Sequence, residues 1–230
     1  MKKQLNLLEN KIDIKFKDID LLRNALIHRS YLNEHKDFSF DQNERLEFLG
    51  DAVLELVVTD YLYKNYSEAE GVLTNWRSSL VNGERLASIS EALGVYDFMY
   101  LSKGESQDSN KKARQYILAN AFEAIVGAIY LDQGYKSAAK FINENLTIHL
   151  KKIIEEKTYI DAKSMFQEKA QEKVGLTPHY RVLDESGPDH NKKFTIGVYL
   201  EKELVAKGEG YSKQEGQTAA AAKALKVKKW

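Results

Sequence analysis

The segment Asn43-Glu44-Arg45-Leu46-Glu47-Phe48-Leu49-Gly50-Asp51-Ala52 carries three carboxylates whose spacing lets them act together. On a helix that advances roughly 100° per residue, positions 44, 47 and 51 fall within about 60° of one another. Like charges three and four residues apart repel, so such a face needs water or a cation against it. A hard cation that takes oxygen ligands and keeps several waters, such as Mg²⁺, suits it. The same spacing also fits a solvated acidic face on a surface helix, and spacing alone leaves both readings open. The chain has no cysteine, which removes thiolate nucleophiles, thiolate zinc sites and disulfides from the choices.

An acidic face is useful only if something fixes its direction. Leu46, Leu49, Val53 and Leu56 are expected to form the opposite, core-facing stripe of the same helix. Gly50 costs a helix interior roughly 1 kcal/mol against alanine, so its place there predicts close approach by another backbone. From Asp18 to Leu150 the apolar residues recur at three- and four-residue spacings, as in LLRNALIHRSYL, RLEFLGDAVLELVVTDYLY and ILANAFEAIVGAIYLDQGY, and this half reads as all helix. Pro178 and Pro188 are the only prolines and both lie beyond it.

The charged stretch Lys151–Lys157 is the best boundary candidate, although it also suits a helix end. After it the period changes. SMFQEKAQEKVG is helical, whereas HYRVLDESG, KKFTIGVYLE and KELVAKGEGYS alternate as half-buried strands do. Gly187-Pro188-Asp189 and Glu201-Lys202 supply the turns. Ser212 can cap a last helix built on the alanine run of SKQEGQTAAAAKALKVKK. Phe166, Tyr180, Phe194 and Tyr199 sit at core-like spacings.

The formal net charge is zero, but residues 159–230 hold 13 Lys and Arg against 10 Asp and Glu, leaving 21 against 24 before them. Bases lean toward the tail, and acids toward the part where a cation would sit. The N-terminus has no sustained apolar stretch and no run reaches membrane-spanning length, so the expectation is a soluble, cytoplasmic protein without a membrane partner.

The run NERLEFLGDAVLELVV closely resembles the signature helix of the ribonuclease III family. ALIHRSYLNE before it, and LTNWRSSLVNGERLA and ILANAFEAIVGAIYLD after it, match in order and spacing. QEKAQE, GPDHNKKF and GEGYSKQEGQTAAAAKAL resemble the double-stranded RNA-binding domain. The resemblance implies two domains: an all-α endonuclease domain of the ribonuclease III-like helical fold over residues 1–157, then an α+β domain of order α-β-β-β-α over residues 158–230.

By that resemblance, Glu47, Asp51 and Glu123 are metal ligands, with Asn120 in the ligand set, and Glu44 and Glu70 are further acids near the cleavage site. The implied cofactor is Mg²⁺, with Mn²⁺ able to substitute. The implied partners are double-stranded RNA and a second copy of the chain, paired through the endonuclease domain. The implied activity is double-strand-specific endonucleolytic hydrolysis to 5′-phosphate products with short 3′ overhangs, in processing of rRNA precursors and other structured transcripts. Metal chemistry agrees, because a bound cation polarises a phosphoryl group and acidifies a water without a side-chain nucleophile. Gln167, Glu168, Gln171 and His190 are implied to face the minor grooves and Lys213 to meet phosphate. His28 also matches the family and is read as a structural hydrogen-bonding residue.

The chain departs from the family pattern at Asn120, where an acid is usual, and at Gln214 and Gln217, where basic residues are common. The first departure keeps alternatives open: a double-stranded RNA-binding protein that cuts weakly or not at all, or a structural subunit of a larger RNA assembly. Against both stands the persistence of Glu44, Glu47, Asp51, Glu70 and Glu123, which binding or scaffolding alone would not require.

Overall fold

The computed structural model describes residues 4–159, 161–188 and 192–230. The chain divides into two compact units, the first ending at Glu156 and the second beginning at Lys157. The first is helical: α1 (Leu5–Ile12), α2 (Ile19–Ala25), α3 (Arg29–Glu34), α4 (Glu44–Asn65), α5 (Glu70–Leu80), α6 (Gly83–Ala92), α7 (Lys103–Gln107), α8 (Lys111–Gln133), α9 (Tyr135–Asn145) and α10 (Leu150–Glu155). Short 3₁₀ turns lie at Val95–Phe98 and Thr147–His149, and a lone bridge joins Ile27 to Tyr100. Among the described residues no helix is long and apolar enough to cross a membrane.

Helix α8 is the axis of this unit. The Asn110 side chain caps its start by accepting the N–H groups of Lys112 and Ala113. It ends at Gly134, which takes the positive φ of 79° that stops a helix. Between these points almost every residue from Ile117 to Ile129 is buried. A helix apolar all round must be wrapped by others, and α2, α4, α6 and α9 pack around it.

The α4–α8 seam is set by two glycines. A Cβ on Gly50 would lie 1.7 Å from the Glu123 carbonyl oxygen, and one on Gly127 would lie 2.3 Å from that of Leu46. The two backbones therefore touch, as the presence of Gly50 in mid-helix predicts. The seam also corrects the expected stripe. Leu46 and Val53 are buried, Leu49 is half-buried, and Leu56 is 58% exposed. The buried side runs instead through Leu46, Gly50, Val53, Leu54 and Val57, because backbone contact at Gly50 centres it and turns Leu56 roughly 120° away.

In the second unit, α11 (Ala162–Val174) precedes β1 (His179–Ser186), β2 (Lys193–Leu200) and β3 (Glu203–Gly210), and α12 (Lys213–Lys228) follows. The strands form one antiparallel sheet in the order β1-β2-β3. This is the expected α-β-β-β-α order. Glu201 makes the β2–β3 turn with φ of 50° and Gly187 follows β1 with φ of 93°; Asp189, assigned to the same turn, lies outside the described residues. The Ser212 hydroxyl caps α12 by accepting the Glu215 N–H. Small residues let α12 lie almost on the sheet: a Cβ on Gly208 would fall 2.1 Å from the Ala220 nitrogen. Phe166, Val198, Leu200, Ala220 and Ala224 make the core, and Trp230 stacks on Phe166 at 5.4 Å. Of the four aromatics placed in this core by spacing, only Phe166 is fully buried; Tyr180, Phe194 and Tyr199 are half-buried.

Candidate functional site

The acids of α4 and α8 meet across the glycine seam. Glu44, Glu47 and Asp51 leave α4 on the side next to its buried stripe, and Glu123 leaves α8 at the residue whose carbonyl touches Gly50. Burial pushes the Glu123 carboxyl up to about 7, and the negative charges of Asp51 and Glu47 add to that. Glu47 is also raised, first by burial and then by the charge of Glu44. The helices thus hold carboxylates where their charge is uncompensated, as a cation site requires.

Asn120 lies one turn before Glu123 and lines a cavity with Glu44, Glu47, Tyr116 and His28. Its side chain hydrogen-bonds Glu47 and lowers the carboxyl's pKa, partly opposing the surrounding acids. The amide is therefore a donor to a neighbouring ligand candidate, a role invisible from spacing. Glu44 is steadied by Gln42, whose Nε2 donates to it at 2.9 Å, and by Arg29 at 3.7 Å.

Among the described residues no three acids or imidazoles are already gathered as a metal would hold them. The fit therefore rests on donor chemistry: Glu47, Asp51 and Glu123 offer only charged oxygens, Asn120 a neutral one, and neither sulfur nor imidazole stands among them. Such a set suits Mg²⁺, which binds through a few carboxylates and keeps its waters.

Glu70 stands apart. It opens α5, accepts from the Thr74 hydroxyl at 3.0 Å, and lines a different cavity of about 570 Å³ with Tyr63, Tyr66 and Arg77. His28 has a structural place: its Nδ1 meets the Ser30 hydroxyl at 2.8 Å, that oxygen accepts the Ser102 N–H, and burial lowers the imidazole pKa. Sequence reasoning passed over Asn43. It is 3% exposed and its amide donates to the Ala25 carbonyl, while its own N–H donates to Ile27, tying the start of α4 to α2. An Asn directly before the acid run was the available signal.

In the second unit Gln167, Glu168 and Gln171 all stand exposed on α11, on the side away from buried Phe166 and Ala170. Lys213 opens α12 with its ammonium 5.8 Å from the Phe194 ring centre. His190 lies outside the described residues. Lys193 is paired with Glu209 at 2.6 Å and Lys192 with Glu185 at 3.5 Å, so much of their charge is already answered. Near the position of Gln217, Lys163 of α11 donates to the Gln217 amide oxygen at 2.7 Å.

Residues 18–150 match the family described as Ribonuclease-III-like, and residues 162–228 match the double-stranded RNA binding motif. The chain is similar to Ribonuclease 3 of Borreliella afzelii, 40% identical over 98% of this chain and 92% of the relative. It is 43% identical to Ribonuclease 3 of Pelotomaculum thermopropionicum over 96% of this chain and 92% of that one. Among solved structures, the nuclease domain of a Campylobacter jejuni ribonuclease III, described with a flexible region involved in dimer formation, superposes with a TM-score of 0.54 at 40% identity. That match covers 62% of this chain and 98% of the other.

Proposed function

The chain belongs to the ribonuclease III family, and from that membership we propose how its residues work as a double-strand-specific endoribonuclease. The observation that carries the reading is the pairing, on one chain, of an acid cluster built across a glycine-tight seam with a double-stranded RNA-binding unit. Residues 1–157 are the nuclease part and residues 158–230 the binding part. Glu47, Asp51 and Glu123, with Asn120 beside them, are the proposed holders of Mg²⁺, and Mn²⁺ fits the same oxygen set. When bound, the cation supplies charge neutralisation for the phosphoryl group and a water of lowered pKa. Asn120 orients Glu47 through its hydrogen bond and offsets part of the rise in that carboxyl's pKa, and Glu44 adds negative potential at the rim, where the Gln42 amide donates to it. Gln167, Glu168, Gln171, His190 and Lys213 are the proposed contacts with duplex RNA. A cytoplasmic setting, where transcripts and rRNA precursors are processed, fits this activity.

Uniform duplex RNA incubated with the full chain and Mg²⁺ tests the reading. Cleavage to products with 5′-phosphates, with single strands spared, is the expected result. Intact duplex at saturating Mg²⁺ would favour the non-cutting binder that Asn120 brings to mind; the retained acids and the near full-length similarity to Ribonuclease 3 of two bacteria argue for cutting.

Asn120→Asp is expected to lower the Mg²⁺ concentration for half-maximal cleavage several-fold and to raise the rate when Mg²⁺ is limiting. A carboxylate there adds a full charge to a ligand set that must displace tightly held waters. It also removes a donor from Glu47, so the metal-free protein should melt at lower temperature. A titration on one duplex measures the first effect; an unchanged or higher requirement would take residue 120 out of the site.

A second copy of the chain is the proposed partner of α4. Phe48 and Tyr63 are 82% and 79% exposed and share one side with Leu56, at the roughly 100° step of a helix. Three large apolar residues on the exposed side of a helix whose other side packs in the core suit a self-complementary interface. Glu70 faces the cavity that Tyr63 also lines, so its part in cutting is proposed to depend on that pairing. Phe48→Asp should weaken self-association at least about a hundredfold, since each copy loses a buried ring and gains a charge. Sedimentation across a concentration series reads this, and an undisturbed dimer would move the interface elsewhere.

A further inference from the structure

The cavity beside the acid cluster continues away from it. Its volume is about 490 Å³, and its lining includes Tyr116 and Arg29 as well as Glu44, Glu47 and Asn120. Tyr116 also lines a second cavity of about 250 Å³, together with Lys112 and Gln115. Lys112, Tyr116, Asn120 and Glu123 follow one another at three- and four-residue steps on α8, so they share one face over about 16 Å.

The chemistry of this face changes along its length. Negative charge is concentrated at Glu47 and Glu123, where a cation belongs. Beyond Asn120 this face of α8 carries a phenol and then an ammonium, and Glu84 of α6 lines the second cavity beside them. Tyr116 is 64% exposed, although its neighbours Ile117 and Leu118 are buried. Arg29 pairs with Glu44 at 3.7 Å, both side chains being well exposed, an ion pair weak enough to open for another anion. A small metabolite needs enclosure and converging buried polar groups, and this groove is open. A nucleic-acid strand needs only spaced cations for its phosphates and a flat face for its sugars and bases.

We propose that this groove is a subsite for the RNA strand next to the bond being cut, with Arg29 and Lys112 meeting phosphate oxygens and the Tyr116 ring lying against a base or ribose. The assignment rests on the endoribonuclease reading above. The strand end that enters it is fixed at the acid cluster, and Arg29 trades Glu44 for phosphate as the strand seats. Tyr116 and Lys112 thereby help select where along a duplex the cut falls.

The experiment uses the full chain, one defined RNA hairpin and saturating Mg²⁺ over a range of salt. Arg29→Gln and Lys112→Gln should each raise KM about tenfold with kcat nearly kept. Each should also reduce the steepness of log kcat/KM against log salt by about one, the loss of one phosphate contact. Tyr116→Ala should lose roughly five- to a hundredfold in kcat/KM, as removal of a stacking face does, and Tyr116→Phe should restore it. A residue that merely supports the fold would shift the melting temperature and leave the salt slope alone. Hairpin binding is measured in parallel in the Glu123→Gln background, so that the groove is tested even if the parent chain fails to cut. Failure to cut with these binding shifts intact would overturn the cleavage reading alone. Parent-like kcat/KM, salt slopes and binding in all three variants would overturn the proposal.

Discussion

Glu123→Gln is expected to lower the cleavage rate on the order of a thousandfold, because a cation's several kcal/mol of transition-state stabilisation is lost with its ligand. The same change should make the metal-free protein more stable. Burial and the charges of Asp51 and Glu47 raise the Glu123 carboxyl from 4.5 to about 7. Between those two values the folded protein holds a proton that the unfolded chain has released, so stability falls as pH rises through this window and levels off above it. A raised carboxyl is thus a cost carried at neutral pH, worth about 2 kcal/mol after allowance for the group's partial exposure. Glutamine carries no such cost. Denaturant melts at pH 5 and pH 8 should show the parent losing stability between them and the variant losing less, while duplex binding stays at the parent level. Parent-rate cutting, or an equal pH slope in both proteins, would contradict the assignment of Glu123.

The opposed effects on stability and activity explain what was readable in advance. Repulsion among Glu44, Glu47 and Asp51 follows from spacing on one helix, and the sequence pattern therefore reveals the acid face. The register between α4 and α8 does not follow from either helix's periodicity, yet Gly50 announces a backbone contact because nothing else justifies glycine there. Leu56 was misassigned for a physical reason. Periodicity tells which residues are apolar, not whether the neighbour that covers them is the same chain, and Phe48, Leu56 and Tyr63 look like core residues in a sequence while standing exposed in the fold. Pairings between distant segments were equally out of reach. The bond from Lys163 to Gln217 joins residues 54 positions apart, and no local pattern reports that an α11 lysine places its charge where α12 carries glutamine. Asn120 shows the same limit: its register with Glu123 was visible, its hydrogen bond to Glu47 was not.

Gly50→Ala and Gly71→Ala should move stability in opposite directions, although both replace a helical glycine by the best helix former. Propensity alone favours alanine by up to about 1 kcal/mol. At Gly71 of α5 nothing lies within 4 Å of the added carbon, so propensity should prevail and the variant should gain a few tenths of a kcal/mol to about 1. At Gly50 the carbon would lie 1.7 Å from the Glu123 carbonyl oxygen and 3.0 Å from the Gly127 nitrogen. Backbone atoms cannot swing aside as a side-chain end can, so α4 and α8 must separate along their seam. Gly127 meets the Leu46 carbonyl a turn earlier, and that contact opens with it. Overpacking of this kind costs roughly 1–3 kcal/mol and occasionally more, and here it also displaces Glu123, a proposed metal ligand. Gly50→Ala should therefore lose both stability and cleavage, with a raised Mg²⁺ requirement in whatever folded protein remains. Urea melts of the two variants beside the parent decide it: a Gly50→Ala protein as stable as the parent would mean that the helices do not meet backbone to backbone at this point, and the geometry derived for the acid cluster would fall with the seam.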